Sequence, residues 1–489
     1  MTAFRMLALL AFAGLSVWAN ADDVRIAIGH AGPLTGPAAH AGKDNENGVR
    51  MALDDANAEG IRLAGRKVTF VLLSEDDQAD PRQATIVAQK LADAQVRGVI
   101  AHLNSGAAIP ASRIYHDHGI PYISPGATNP LLTQQGFRNV FRVTANDTQQ
   151  GKVLGEYAAK QLTARRVAIV DDRSAYGQGL ADEFEKSARS AGAMIVAREF
   201  TGMDKTDFTA ILTSIKRRTP DLVFYAGGDI QSGPLVRQMR QLGISAQFLS
   251  GDGSRTPEFL KLAGEAAEGA VASQPGLPLE KMPGGQAFAQ KYRARFKMDI
   301  QLWAPYAYDA TRAMLAAMQQ VDSADPARYL PALAVLTYPG VTGTIAFDTN
   351  GDLKDGAITL YRVRAGEWQA IQTFGSTGRQ ADSVRPGSRP QTLTSHSSWP
   401  SSDRRVSFAK DCLGLTGNPL SALDAIYVKW RRSFLARKPA RTSKVPNTLG
   451  AHPSPCDEIS SPPPSTSRVA ESRRAARNAT SLPSSTPLR

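Results

Sequence analysis

Four small polar loops carry the residues whose types and spacing could do chemistry. HLNSGAAIPAS, residues 102–112, follows the apolar run VRGVIA and sets Ser105 between a strand and a helix. A hydroxyl there commonly caps the helix, and with the first free helical amides it also makes an anion site. Phosphate is disfavoured as that anion because no GxxxxGK-Ser/Thr stretch occurs in the chain. A carboxylate fits equally well. IPYISPGATNP ends a second strand and offers Gly126, Ala127 and Thr128, small residues with free backbone groups and one hydroxyl. Alone that loop is a turn; beside Ser105 it completes a polar cradle. DDRSAYGQG presents Tyr176 on a strand-to-helix loop, and LSGDGSRTP presents Asp252. A Gly-Asp-Gly turn is often only a turn, but an acid facing a carboxylate cradle suits an ammonium group.

Rival chemistries find less support. His116 and His118 are two apart and so do not share a helix face as metal ligands should. EDDQADP looks metal-like, yet Asp80-Pro81 reads as an N-cap followed by a first-turn proline. The body of the chain has no cysteine, and its few histidines lie near no nucleophile elbow. Neither a metal, nor a cofactor, nor an enzymatic activity is expected.

The elements that must position these loops alternate in type. VRIAIG, KVTFVLLS, VRGVIAHL and IPYIS read as strands, separated by helices such as KDNENGVRMALDDANAEG, with Val49, Ala52, Leu53 and Ala56 on one face. After FRVTANDTQQG the alternation restarts: RRVAIVDD, AMIVAREF and DLVFYAG are strands between further helices. Such βα repetition implies mainly parallel sheets flanked by helices. Two successive series imply two similar lobes, and ligands in open α/β sheets bind at the carboxyl ends of the strands. GAITLYRVRAGEWQAIQTF reads as a hairpin completing the second lobe.

Composition bounds the compartment and the partners. Arg5, the apolar run from Met6 to Val17, and Ala19-Asn20-Ala21 form a secretory signal over residues 1–21, too short to span a membrane permanently. The net charge of +12 is carried by the tail: residues 375–489 hold 18 basic and 7 acidic residues, the rest 39 and 38. The body is therefore near neutral, and a nucleic-acid partner is not expected. Both cysteines, Cys412 and Cys456, also lie in the tail. That segment, rich in Ser, Pro and Arg and without periodicity, reads as a disordered extension.

The stretches GPLTGPAAHAGKDNENGVRMALDDAN, EDDQADPRQA, HLNSGAAIPAS, ISPGATNP, DDRSAYGQGLADEFE and WAPYAYDA, in that order over residues 24–374, resemble the periplasmic leucine/isoleucine/valine-binding proteins of ABC importers. The resemblance implies a two-lobed flytrap fold, with residues 22–145 and 275–355 as lobe 1 and 146–274 and 356–374 as lobe 2. It implies a periplasmic monomer that captures an amino acid between its lobes and delivers it to a permease and its ATPase. On that pattern Ser105 and Thr128 hold the α-carboxylate. The backbone at Gly126, with Asp252, holds the ammonium, and Tyr176 and Trp303 close over the ligand. Four departures stand out. Ala41, beside His40, and Gly228 replace tyrosines, Asp252 replaces a glutamate, and Ala79 and Asn104 replace a disulfide pair.

Overall fold

The computed structural model describes residues 24–375. The signal segment, the tail beyond Gly375 and both cysteines lie outside the described residues. The first apolar run forms β1 (Val24–Gly32), flanked on both sides by parallel partners, β3 (Arg66–Asp76) and β4 (Val99–Ala101). With β2 (Arg62–Leu63), β5 (Tyr122–Ser124) and β6 (Val140–Arg142) they make a six-stranded sheet in the order β2-β3-β1-β4-β5-β6. Only the β2–β3 hairpin is antiparallel. β4 is shorter than VRGVIAHL suggests because the chain turns at His102, which takes a left-handed φ of 48°. Its buried ring is pinned by Asp77 at 2.8 Å and Tyr115 at 3.0 Å.

Helices cover both faces of this sheet. Helix Ala39–Glu59 buries Val49, Ala52, Leu53 and Ala56, as its spacing predicts, and ends at Gly60 in the left-handed conformation. Val49, Leu53 and Ala56 pack with Met314 and Leu315 of helix Ala304–Gln320 against Ile26 and Ile28. The two helices come so close at Gly48 that a Cβ there would lie 2.2 Å from the Ala304 carbonyl oxygen. The opposite face meets helices Pro81–Asp93 and Ser105–Asp117. Asp80 caps the first of these, its carboxylate accepting from the amides of Arg82 and Gln83 at 2.8 Å, with Pro81 at the first helical position.

The second sheet has seven strands: β7 (Arg166–Asp171), β8 (Met194–Phe200), β9 (Leu222–Ala226), β10 (Gln247–Ser250), β11 (Val271–Pro275), β14 (Ile358–Arg364) and β15 (Glu367–Phe374). Their order is β15-β14-β11-β10-β9-β7-β8. Strands β7 to β11 run parallel, and the hairpin β14–β15 closes one edge antiparallel. Its faces are covered by helices Asp147–Glu156 and Ala175–Ser190 on one side, Thr209–Arg217 and Asp229–Gln241 on the other. A small third sheet, β12 (Thr337–Pro339) with β13 (Thr344–Ala346), belongs to the first core through Ile345. The chain thus forms the two-lobed α/β fold, each lobe a mainly parallel sheet flanked by helices.

The chain passes from the first core to the second sheet between β6 and β7, returns after β11 and crosses again between β13 and β14. These crossings lie side by side: the Gly276 amide donates to the Ala357 carbonyl at 2.6 Å. An ion pair between buried Arg142 and half-buried Asp352 ties the first to the third. Arg142, fully buried, donates to Asp352 at 2.6 and 2.9 Å and to the carbonyls of Ala127 and Asn129 at 3.0 and 2.8 Å. The same carboxylate accepts from Asn146 Nδ2 at 3.1 Å. A buried charge needs such saturation to persist.

Candidate functional site

A cavity of about 580 Å³ opens between the lobes at the carboxyl ends of the parallel strands. That is the size range of small-molecule sites. Ser105, Gly126, Thr128, Tyr176, Asp252 and Trp303 all line it. Ala127 does not. Its amide donates to Ser124 Oγ at 3.0 Å and its carbonyl is taken by Arg142, so it braces the loop from behind.

The first lobe supplies uncharged donors. Ser105 is the first residue of its helix, Asn104 stands at the N-cap, and no side chain caps the turn. The helix start therefore brings its amides to the cavity wall with the serine hydroxyl, where the helix dipole favours negative charge. Ser105 Oγ accepts from the Asn129 amide at 3.2 Å, which fixes it against the neighbouring loop. Thr128 Oγ1 is buried beside the Asp147 carboxyl without the alignment of a hydrogen bond. Gly126 packs closely on the neighbouring loop: a Cβ would lie 2.5 Å from Leu103 Cδ1, so that side chain would have to shift to admit one. Trp303 is held by Asp44 of helix Ala39–Glu59, whose carboxylate accepts from the amides of Leu302, Trp303 and Ala304 at 2.7–3.0 Å.

The second lobe supplies the acid. Asp252 opens a 3-10 turn after β10, buried. Its Oδ1 accepts from Gln150 Nε2 at 2.7 Å and from the Tyr176 hydroxyl at 3.0 Å. Tyr176, the second residue of helix Ala175–Ser190 rather than a loop residue, accepts in turn from the Gly253 amide at 3.1 Å. Gln150 also donates to Asp147 Oδ1 at 3.0 Å, and Ser273 donates to Gln150 Oε1 at 2.6 Å. Two carboxyls thus share one amide. Burial raises both above the usual carboxylate range, and the neighbouring Asp252 charge helps push Asp147 up to about 8. Burial, then the charge of Asp252, also holds the Tyr176 phenol well above its ordinary value.

Sequence reasoning missed Gln150 and Asp147, because a polar first turn after Asn146 reads as a solvated capping box, and that box is present. It also missed Asp229, which lines the cavity and meets His40 at 2.9 Å across the lobes. A second interlobe bond joins Asn129 Nδ2 to the Ala175 carbonyl at 2.6 Å. Of the discarded metal candidates, His116 stacks on Phe137 and bonds Asn139 away from the cavity, while Asp80 lies on the cavity wall as the helix cap described above. Chemically, around Ser105 and Asp252 the cavity sets neutral donors of the first lobe against an acid of the second, while Asp80, Asp172, Arg173 and the His40–Asp229 pair place charge elsewhere along its walls.

This is the architecture of a ligand-binding protein that closes two lobes on a small molecule. The chain belongs to the periplasmic binding protein family, whose model matches residues 25–367. It is 32% identical over 370 residues to the leucine-, isoleucine-, valine-, threonine- and alanine-binding protein of Pseudomonas aeruginosa, covering 76% of this chain and 96% of that one. It is 35% identical over 361 residues to Leu/Ile/Val-binding protein homolog 1 of Brucella melitensis, covering 73% and 94%. Among solved structures it resembles the branched-chain amino acid transporter substrate-binding protein LivJ of Streptococcus pneumoniae in complex with isoleucine. There the TM-score is 0.65 and the identity 27%, over 71% of this chain and 99% of that one.

Proposed function

We propose that this chain is the periplasmic substrate-binding component of an ABC importer, capturing branched-chain or related amino acids and presenting them to a permease and its ATPase. One observation carries the reading: uncharged donors of one lobe and the buried acid of the other line a single cavity. Ser105, Thr128 and the helix amides suit an α-carboxylate; Asp252, with the Gly126 backbone, suits an α-ammonium; Tyr176 and Trp303 flank the side chain. The names of the relatives point the same way. Residues 22–145 with 275–355 and residues 146–274 with 356–374 act as the two lobes, hinged at the crossings. A ligand touching both closes them, because it binds the closed arrangement better than the open one. The leader exports the chain, which acts as a monomer.

The test is calorimetric titration and melting with leucine, isoleucine, valine and phenylalanine, with benzoate as the aromatic-acid control. A hundredfold excess over Kd adds about 2.7 kcal/mol to folding stability. No response to any amino acid overturns the reading, and a response to benzoate alone replaces it with an aromatic-acid receptor.

A further inference from the structure

At the other end of the cavity, two side chains from different lobes meet. His40 stands in the first turn of helix Ala39–Glu59, and Asp229 opens helix Asp229–Gln241; both line the cavity. His40 Nε2 lies 2.9 Å from Asp229 Oδ2, and its Nδ1 lies 3.1 Å from the Pro37 carbonyl oxygen. Both partners are acceptors only, so the ring satisfies both contacts when both nitrogens carry protons. The same Asp229 oxygen accepts from Thr256 Oγ1 at 2.6 Å, which fixes the carboxylate in its own lobe. We propose that His40 and Asp229 form a protonation-dependent latch between the lobes, so that a captured ligand is held more tightly in mild acid and released more readily as the pH rises.

The surroundings support that sign. Glu258, on the helix after Thr256, adds a longer-range attraction to the imidazolium. Asp80 and Asp172 also line the cavity. Arg173, the arginine of the cavity wall, stacks its guanidinium 3.5 Å over the Phe200 ring. Lys43, one turn along the histidine's own helix, is paired with Glu46 at 3.2 Å. The hydrogen bond to Asp229 raises the His40 pKa above its ordinary value when the lobes meet. When the lobes part, the contact is gone and the ring returns to that ordinary value, near 6.5. The closed form therefore holds the extra proton: its stabilisation is complete below that value and is lost as the pH climbs through the closed-state pKa.

The latch does not depend on which amino acid is bound; the choice of leucine as probe rests on the reading proposed above. Leucine affinity is measured from pH 5.5 to 8.5 in the full chain and in His40→Asn and Asp229→Asn. In parallel, pulsed electron resonance reads the interlobe distance without ligand. Labels replace Ile86 and Met194, 62% and 59% exposed and one in each lobe, in a background where Cys412 and Cys456 are serine. The wild-type affinity should weaken by roughly 1.5- to fivefold across the range, as an ion pair of this exposure allows, and the open distances should grow in step. Both variants should show the weaker affinity at acid pH and a flatter profile. Any slope left in His40→Asn belongs to Asp147 and Asp252, so the latch is read as the difference between the two proteins. If His40→Asn keeps the wild-type slope and the wild-type distance profile, the latch is refuted. If leucine does not bind at all, the distance profile alone decides the latch, and the failure belongs to the amino-acid reading.

Discussion

Asp252 and Asp229 both begin a helical turn in the second lobe and both line the same cavity, yet they are held in opposite ways. The partners of Asp252, Gln150 and Tyr176, come from its own lobe, and the chain of bonds continues to Ser273 and Asp147. The acid's own hydrogen bonds are complete whether or not the lobes meet. Asp229 takes its charged partner from the other lobe, where the His40 side chain remains 24% exposed. Its site exists in full only on closure. On the proposed reading the difference separates two tasks within the cavity: a preorganised acid suited to a charged head group, and a contingent pair suited to reporting closure. Preorganisation favours affinity because little ordering remains to be done on binding, whereas a contact present in only one conformation shifts the conformational equilibrium.

The first way to break this comparison is to remove the preorganised acid. Asp252→Ala should weaken leucine binding by about 3–5 kcal/mol, the cost of leaving one member of a buried charge pair unpaired. Calorimetry reads it directly. Loss no larger than that of an exposed substitution would show that Asp252 is only a turn residue. Ser105→Ala should cost less, about 1.5–3 kcal/mol, the value of one hydrogen bond to a charged group, because the helix amides remain beside it. An Ser105→Ala loss that exceeds that of Asp252→Ala would invert the assignment of the two walls.

How much of this was legible in the sequence depends on whether a residue acts locally or through a partner. The strands, the hairpin Ile358–Phe374 region and the inward face of helix Ala39–Glu59 follow from apolar periodicity, and the structure has them. Strands β6, β10 and β11, like the short β2, β12 and β13, were not read from the sequence; β4 and β5 are as short but are contained in the longer apolar runs VRGVIAHL and IPYIS, which marked them. Six of the seven candidate site residues line the cavity: Ser105, Gly126, Thr128, Tyr176 and Asp252 lie at or just past a strand's carboxyl end, where local sequence dictates position, whereas Trp303 stands at the start of a helix that follows another helix and was marked by the resemblance alone. Ala127 was misplaced because adjacent residues of a loop face opposite ways, and only the Arg142 contact reveals which. Gln150, Asp147 and Asp229 act across long sequence separations, 102 residues between Gln150 and Asp252, and nothing in their local pattern marks them.

The shared amide at the preorganised end makes a prediction about pH. In the folded protein Asp147 keeps its proton up to about 8, while its ordinary value is 3.8. The native state therefore binds a proton that the unfolded chain has released, and this group's contribution to stability falls as pH rises through that window. His30 works in the opposite direction but only at lower pH, since burial lowers it to about 4 and its linkage ends near its ordinary 6.5. Between pH 6.5 and 8, Asp147→Asn should thus melt with a shallower pH dependence than the wild type. Scanning calorimetry at several pH values reads the slopes. Parallel curves for the two proteins would mean that Asp147 is ionised in the native state and that the two carboxyls are not coupled through Gln150.

The smallest effect tests whether the contingent end is as roomy as its missing rings suggest. Gly228 has φ of −81° and ψ of 166°, a conformation open to any residue, and a Cβ there would meet only Gln231 Oε1, at 3.6 Å. Gly228→Ala should therefore fold as the parent does and project one methyl group into the cavity wall. Side-chain selectivity in the parent should be loose, because a one-methylene difference is worth about 1–3 kcal/mol only where the fit is tight. Leucine, isoleucine and valine should bind within about tenfold of one another, and phenylalanine should bind detectably. The added methyl should leave leucine within about twofold of its parent value and weaken phenylalanine more, since the larger ring reaches further along the wall. Because the head-group contacts lie at the preorganised end, they should not register the change: the Ser105→Ala penalty should be the same in both backgrounds, as expected for independent sites. Dissociation constants measured in one buffer decide the matter. If phenylalanine is silent in the parent, or the two substitutions fail to add, the two ends of the cavity are not independent and the wall at Gly228 is already filled by its neighbours.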